Sequence, residues 1–187
     1  ALYGSRGTNG VIVITTKRGK AGNVKINYSY MYALQQPPKN IDVMNLRQYA
    51  QMVGEYHDIA GGTTPLEFLD PSILGEGTNW QDELFRQAPM FKHELSFSGG
   101  SENTTYYLSS EYFNQEGISQ GSDFDRYAMR LNLDSKANSW LSIGVNVSAN
   151  QTENEQSATA ESVIRNAVNL SPNIPVKNFD GTYGGGS

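Results

Sequence analysis

The sequence predicts a mainly β protein in which antiparallel strands form an up-and-down meander and the longer connections contain short helices. Polar and apolar residues alternate in five runs of about ten residues each, as in strands with one apolar and one wet face. Long and short connections alternate between these runs. Some of the long connections carry apolar residues at helical spacing, which predicts amphipathic helices there.

The first element follows a glycine-rich stretch, YGSRGTNG at residues 3–10, which precedes an apolar β-branched run at residues 11–16. In a phosphate-binding loop the strand comes first, the glycines follow it, and a helix N-terminus follows the glycines. The order here is reversed, and no Gly-Lys-Ser/Thr follows. We therefore expect Asn9-Gly10 to form a turn and residues 11–16 to form a strand buried on both faces, without a nucleotide site.

Five strands are predicted after this stretch, and three of them alternate cleanly. The other two, KHELSFSGG and TYYLSSEYFNQ, alternate less regularly and are rich in Tyr, Phe and Ser. The predicted apolar faces are Val24, Ile26, Tyr28, Tyr30, Tyr32 and Leu34; Tyr127, Met129, Leu131 and Leu133; and Leu141, Ile143, Val145, Val147 and Ala149. The predicted polar faces are Lys25, Asn27 and Ser29; Arg130, Asn132 and Asp134; and Ser142, Asn146, Ser148 and Asn150.

Strands of about ten residues have the length that a tilted transmembrane β-strand needs, and Tyr-rich strand ends suit the aromatic girdles of membrane barrels. Short turns and long loops also alternate in such barrels. Because an open sheet edge in lipid leaves backbone groups unpaired, the strands should belong to a larger closed structure. A soluble β-sandwich shows the same alternation, so a soluble β-rich glycan-binding or cell-surface module is the alternative.

Three helices are predicted in the connections. The run DVMNLRQYAQMVGEYH has helical spacing, can be capped by Asp42 or Asn45, and precedes the glycine pair that begins at Gly61. A short second helix is expected after Asn79, and a third is expected to end before Pro172.

Composition excludes several classes of function. The chain has no cysteine, and its 14 basic and 19 acidic residues are scattered, so we expect no nucleic-acid partner. The only histidines, His57 and His93, stand alone, and we expect no metal centre, no cofactor and no catalytic triad. The helix carboxylates Asp82, Glu83 and Glu161 are interpreted as solvated charges, so the chain is not expected to be an enzyme.

Both ends of the chain lead to further expectations. The tail NFDGTYGGGS lacks the alternating acidic ligands of a calcium loop, so Asp180-Gly181 is expected to form a turn at a loop tip. The chain has neither an initiator Met nor a signal peptide, and we expect a mature chain or a segment of a larger protein. No stretch approaches the roughly 18 consecutive apolar residues of a membrane-spanning helix.

The run YGSRGTNGVIVITTKRGK at residues 3–20 resembles the end of the plug domain in SusC/RagA-type TonB-linked outer-membrane proteins of Bacteroidetes. Further stretches are similar to that family in the same order along the chain. They are NWQD at residues 79–82 and three longer runs at residues 93–118, 124–144 and 171–183. The resemblance covers essentially the whole chain.

This resemblance implies a domain division. Residues 1–20 would be the C-terminal end of an α+β plug domain, including its last strand. Residues 21–187 would be the first strands, about five, and the outer loops of an antiparallel transmembrane barrel of about 22 strands. The residues that resemble the family motif at the junction between plug and barrel are Tyr3, Gly4, Ser5, Arg6, Gly7, Asn9 and Gly10.

The resemblance also implies a function: active import of oligosaccharides or peptides across the bacterial outer membrane. The expected partners are a SusD-like surface lipoprotein, outer-membrane lipid, and the TonB–ExbB–ExbD complex, which would act through parts absent from this chain. The sequence singles out no substrate-binding residue, and Tyr56, Phe68, Trp80 and Tyr183 are each expected to pack within loops. A periplasmic hydrolase is a further alternative, but the sequence shows no carboxylate pair and no nucleophile with a neighbouring base.

If the apolar faces contact lipid, arginine at Leu131, Leu133, Val145 or Val147 is expected to be costly. Substitutions of Asn132 or Asn146, on the polar face, are expected to be mild.

Overall fold

The structure is a computed structural model that describes residue 12, residues 15–155 and residues 160–185, without the side chains of Ala160 and Glu161. Five antiparallel strands form one sheet in the order β1-β2-β3-β4-β5. The predicted mainly β meander is therefore confirmed. The strands are β1 (Gly22–Gln35), β2 (Ala88–Gly100), β3 (Thr104–Glu116), β4 (Asp123–Lys136) and β5 (Ser142–Glu155).

Two tight turns join β2 to β3 and β4 to β5. In the first turn, Gly100 has a φ of 143°, a conformation that favours glycine, and the Ser101 amide donates to the Thr104 carbonyl at 2.7 Å. In the second turn, the Asn138 side-chain oxygen accepts hydrogen bonds from the amides of Trp140 and Leu141. Polar turn residues of this kind replace the backbone partners that a sharp reversal removes.

The three predicted helices are present: α1 (Leu46–Ala60), α2 (Trp80–Leu84) and α3 (Ala160–Asn169). Asn45, rather than Asp42, caps α1, and its side chain and that of Gln48 each accept the other residue's backbone amide. The helix ends at Gly61, which adopts the left-handed conformation. Asn79 caps α2, as predicted. Two single 3-10 turns lie between α1 and α2, at Leu66–Phe68 and Pro71–Ile73.

The chain divides into two compact units. Unit 1 comprises Ala1–Tyr32, Phe91–Asn114 and Asp125–Glu153, and it contains both tight turns. Unit 2 comprises Ala33–Met90, Gln115–Phe124 and Asn154–Ser187, and it contains the longer connections and all three helices. Among the residues that the structure describes, buried side chains include Ser96, Tyr107 and Asn132 in unit 1 and Ala50, Phe68, Gln81, Ala88, Ala167 and Pro172 in unit 2.

Part of the predicted first strand, residues 11–16, lies outside the described residues. Of its described members, Ile12 is exposed, and Thr15 and Thr16 have no regular secondary structure. A strand buried on both faces is therefore wrong for these three residues, because no neighbouring strand pairs with them. Among the residues that the structure describes, no helix is long and apolar enough to cross a membrane.

The tail folds as a turn, as predicted. Lys177 and Tyr183 form an antiparallel bridge, and Gly181 at the tip has a φ of 84°. The Asp180 carboxylate accepts hydrogen bonds from the Thr182 hydroxyl at 2.6 Å and from the Thr182 amide at 3.0 Å. These hydrogen bonds to the charged form lower the pKa of Asp180.

We expect this turn to loosen in acid. Because the pKa of Asp180 is lowered in the folded turn, its contribution is fully present above the ordinary carboxyl pKa and is lost as pH falls through the lowered value. An NMR titration that follows the Thr182 amide should show this loss. In Asp180→Asn the amide oxygen still accepts but does not titrate, so the Thr182 signal should be flat over the same range. Identical titrations in both proteins would contradict the assignment.

Candidate functional site

The polar face of the sheet is the first candidate site. Lys25, Asn27 and Ser29 of β1 line an open cavity of about 940 Å³ together with Ser96 and Ser98 of β2. The side chains predicted to share the wet face of β1 are therefore brought together with hydroxyl groups of the next strand. This face can hydrogen-bond water or a hydrophilic ligand through these side chains.

A network of ionic side chains continues along this polar face on β2, β3 and β4. Glu111 pairs with Arg126 at 2.6 Å and lies 3.9 Å from the Lys92 ammonium, which is in turn 3.8 Å from Glu94. The Arg126 guanidinium also lies over the Phe113 ring, 5.5 Å from its centre. Sequence reasoning missed this network, because β2 and β3 alternate less regularly than the other strands. The opposite charges carried by neighbouring strands were the available signal.

The segment at residues 15–20, here called the tether, is docked on the polar face. The Asn132 amide group donates to the Lys17 carbonyl at 2.6 Å, and the Arg18 guanidinium pairs with Asp134 at 2.5 Å. Asn132 is only 2% exposed. The Arg18 pair is half-exposed and contributes little by itself, so the buried Asn132 bond is the stronger contact.

Gly19 brings the tether against the backbone of β3. A Cβ atom at Gly19 would lie 2.3 Å from the Tyr106 carbonyl oxygen and 2.4 Å from the Tyr106 nitrogen. Neither backbone atom can move without disturbing the strand, so this position accepts only glycine. The sequence gives no local sign of this requirement, because it depends on a strand almost ninety residues away.

The opposite face of the sheet is apolar and carries a row of aromatic rings across four strands. The row starts at Tyr30 of β1, 4.8 Å from His93 of β2, and continues through Phe91 to Tyr112 of β3 at 5.7 Å between ring centres. Tyr112 stacks on Tyr127 of β4 at 4.8 Å. Exposed apolar side chains continue from the row along the same face: Val24, Ile26, Leu95, Met129, Leu131, Val145 and Val147.

Several polar groups on this face are hydrogen-bonded, including the hydroxyl of Tyr112 in the row and that of Tyr28 on the same strand as Tyr30. The Tyr28 hydroxyl lies 2.6 Å from His93 Nδ1, and the Tyr112 hydroxyl donates to Asp125 at 2.9 Å. Asn114 donates to the same carboxylate at 3.1 Å. Rings with an apolar body and a hydrogen-bonded tip are typical of surfaces that are apolar on one side and wet on the other.

The other sequence-predicted residues have mixed outcomes. The motif that contains Tyr3, Gly4, Ser5, Arg6, Gly7, Asn9 and Gly10 lies outside the described residues, so its role stays a prediction. Phe68 is buried edge-on against Tyr49, and the Trp80 indole donates to the Ser171 carbonyl, so loop packing holds for both. Tyr56 and Tyr183 remain exposed.

Substitution of Asn132 will not be mild, contrary to the sequence expectation, because this side chain is buried under the tether. Asn146 is exposed and keeps the original expectation.

The three helix carboxylates considered as acid or base candidates are Asp82, Glu83 and Glu161. Asp82 accepts hydrogen bonds from the amide groups of Asn40 at 2.6 Å and Asn79 at 2.7 Å. Glu83 is exposed beside it, and the side chain of Glu161 is outside the described residues. In the described part of the chain, no group of three or more His, Asp or Glu side chains is placed to hold a metal ion.

We expect Gly19→Ala to release the tether from the polar face, because its Cβ would clash with the backbone of β3. Limited trypsin digestion after Arg18 should then become about tenfold faster or more. Gly54→Ala is the matched control, since a Cβ there meets nothing within 4 Å. Unchanged cleavage in Gly19→Ala, or equal acceleration in both variants, would contradict the docked tether.

Several known proteins are similar in sequence to nearly the whole of this chain. No protein-family model matches it. It is 31% identical over 192 residues to TonB-dependent receptor P3 and 33% identical over 188 residues to TonB-dependent receptor P26, both of Formosa agariphila. It is 31% identical over 186 residues to TonB-dependent receptor SusC of Bacteroides thetaiotaomicron. These matches take in 98–99% of this chain but only 18% of the length of each relative.

Solved structures support the same relationship. The RagAB peptide importer in its open-open state aligns with a TM-score of 0.69 at 27% identity, over 84% of this chain and 20% of that one. The RagAB peptide transporter aligns with a TM-score of 0.64 at 29% identity, over 84% of this chain and 21% of that one. The predicted family resemblance is confirmed: in sequence and in fold the chain is SusC/RagA-like, and it matches one segment of the TonB-dependent receptors.

Proposed function

We propose that this chain forms part of the barrel wall of a TonB-dependent importer in the bacterial outer membrane. The observation that carries the proposal is the contrast between the two faces of one continuous sheet. The apolar face, with its aromatic row, would contact lipid, and the polar face, with its ionic network, would line the interior. The similarity to TonB-dependent receptors supports this orientation.

The tether supports the proposed domain division, in which residues 1–20 end a plug domain and residues 21–187 belong to the barrel. A plug must enter the interior of the barrel, and residues 15–20 lie on the polar face that would line it. The junction then needs a short segment that leaves the wall, turns inwards and stays in place. The segment is held by a hydrogen bond from Asn132 and an ion pair with Asp134. The absence of a side chain at Gly19 lets it lie against the strand.

The proposed cargo is a glycan or a peptide, since similar proteins include SusC and the RagAB peptide importer. A SusD-like surface lipoprotein would deliver the cargo, and TonB–ExbB–ExbD would supply the work. A plugged barrel passes nothing passively, so displacement of the plug must be coupled to an external energy source.

The wall would guide cargo without chemical change, and we propose that the chain is not an enzyme. On the polar face, Glu94 and Glu111 are the carboxylates that a general acid and base would need. Both, however, form ion pairs with cationic side chains. The wall residues can instead bind water and shield the barrel interior from lipid.

The proposal is tested on the intact protein, extracted gently from the outer-membrane fraction. We expect heat-modifiable mobility in gels, as for a compact barrel, and a surface lipoprotein that co-purifies and is identified by mass spectrometry. A protein in the soluble fraction, without heat-modifiability or lipoprotein, would overturn the proposal and favour the soluble module.

The orientation of the faces has its own test. Val147→Arg places a charge on the proposed lipid face and should destabilise the folded barrel in lipid vesicles by roughly 2–4 kcal/mol near the middle of the bilayer. Asn146→Arg, one residue earlier on the opposite face, should have a much smaller effect. Denaturant titration in vesicles measures both. Equal losses for the two variants would count against the assignment of the faces.

A further inference from the structure

One segment of unit 2, residues 74–86 and here called the clasp, contacts three other parts of the chain. It includes α2 and the NWQD run, and it lies near the end of the connection between β1 and β2. Its three contacts are with residues 40–47, with residues 116–123 from the end of β3 to the start of β4, and with residues 171–174 after α3. Each contact consists of specific hydrogen bonds rather than apolar packing alone.

The first contact joins the clasp to the start of its own connection through Gln81. The Gln81 side chain donates from Nε2 to the Ile41 carbonyl at 2.8 Å, and its Oε1 accepts the Ile41 amide at 2.9 Å. The side chain is only 3% exposed. A buried amide group thus pairs with both backbone groups of one residue, as a neighbouring strand would.

The same contact extends to the beginning of α1. The Leu46 amide donates to the Glu76 carbonyl at 2.8 Å, and the Asn45 side-chain amide donates to the Glu76 carboxylate at 2.9 Å. The Arg47 Nε donates to the Leu74 carbonyl. The cap of α1 is therefore held by the clasp as well as by the helix itself.

The second contact joins the clasp to the segment that follows α3. The Thr78 amide donates to the Pro172 carbonyl at 2.9 Å, and its hydroxyl donates to the Ile174 carbonyl at 2.8 Å. Gly77 has a φ of 77°, and a Cβ there would lie 2.5 Å from the Pro172 oxygen. The two segments approach so closely that only glycine fits at this point.

The third contact joins the clasp to the connection between β3 and β4. The Arg86 amide donates to the Ile118 carbonyl at 2.9 Å, and the Gln120 amide donates to the Leu84 carbonyl at 3.0 Å. These bonds flank an antiparallel bridge between Phe85 and Ser119. The Arg86 guanidinium also lies 3.2 Å from the Glu116 carboxylate.

We propose that the clasp fixes these strand connections into one body, with Gln81 as its positioning residue. We rely on the proposed function only for the location of this body, on the outer surface of the membrane. A change at one connection would then be transmitted to the others. Gln81 is central because it is the most buried side chain of the clasp and satisfies two backbone groups at once.

The chemistry of Gln81 allows a specific test. Leucine at this position fills similar space but leaves the Ile41 amide and carbonyl without partners. In Gln81→Glu, the ionised carboxylate still accepts the Ile41 amide but faces the Ile41 carbonyl with no proton to donate. Protonation at low pH restores the donor, so the defect of this variant should be repaired as pH falls through the carboxyl pKa. The amide of the native glutamine does not titrate.

The experiment is hydrogen exchange, measured by mass spectrometry, on the intact protein with Gln81→Leu, Gln81→Glu or no change. We expect Gln81→Leu to accelerate exchange roughly tenfold or more at residues 40–47, 117–122 and 171–174 together, with β1–β5 unchanged. Gln81→Glu should show the same coupled acceleration at neutral pH and regain native protection factors in acid. Gln51→Leu, at an exposed position of α1, is the control and should change none of these segments.

Acceleration confined to residues 40–41 would overturn the clasp, as would a pH-independent defect in Gln81→Glu or an equal effect of Gln51→Leu. If Gln81→Leu does not fold, Gln81→Glu carries the test, because it keeps the shape of the side chain and one of its two bonds. Coupled exchange in a protein that lacks heat-modifiable mobility would retain the clasp and reject the membrane assignment. The two proposals can therefore fail separately.

Discussion

The two-residue repeat of the β-strand is the constraint on which this structure depends. Because successive side chains point to opposite faces, one chain can make a wall that is apolar on one side and hydrophilic on the other. The backbone groups of β2, β3 and β4 are paired with a neighbouring strand on each side, as polypeptide in lipid requires. The aromatic row, the ionic network and the docking of the tether all follow from this separation, since each belongs to one face only.

The longer connections solve a different physical problem. Loops of this length lose much conformational freedom when they are ordered, and few apolar side chains in the described part of unit 2 are buried to offset that loss. Hydrogen bonds between segments supply part of the stabilisation instead. The side chains of Gln81 and Thr78 pair with backbone groups that a neighbouring strand would otherwise satisfy. Glycine at position 77 matters for the same reason, because it lets two backbones approach without an intervening side chain.

The parts of the fold that could be predicted from the sequence are those with a local signal. Alternation located all five strands, and cap residues located the ends of the helices, as with Asn79 and Gly61. The long-range contacts had no such signal. Asn132 was assigned to the correct face, but its burial depends on a segment more than a hundred residues earlier. The paired charges on β2 and β3 were hidden because aromatic residues interrupt the alternation there.

The ionic network on the polar face has a consequence for any charged molecule that approaches it. Lys92 and Arg126 bring two positive charges, and Glu94 and Glu111 bring two negative charges, within a few ångströms of one another. Seen from beyond about one Debye length, roughly 8 Å in physiological salt, such a group is electrically silent. This part of the wall would neither attract nor repel a charged molecule at a distance. It would act only on groups that touch it, as a hydrophilic surface with no preference for either sign of charge.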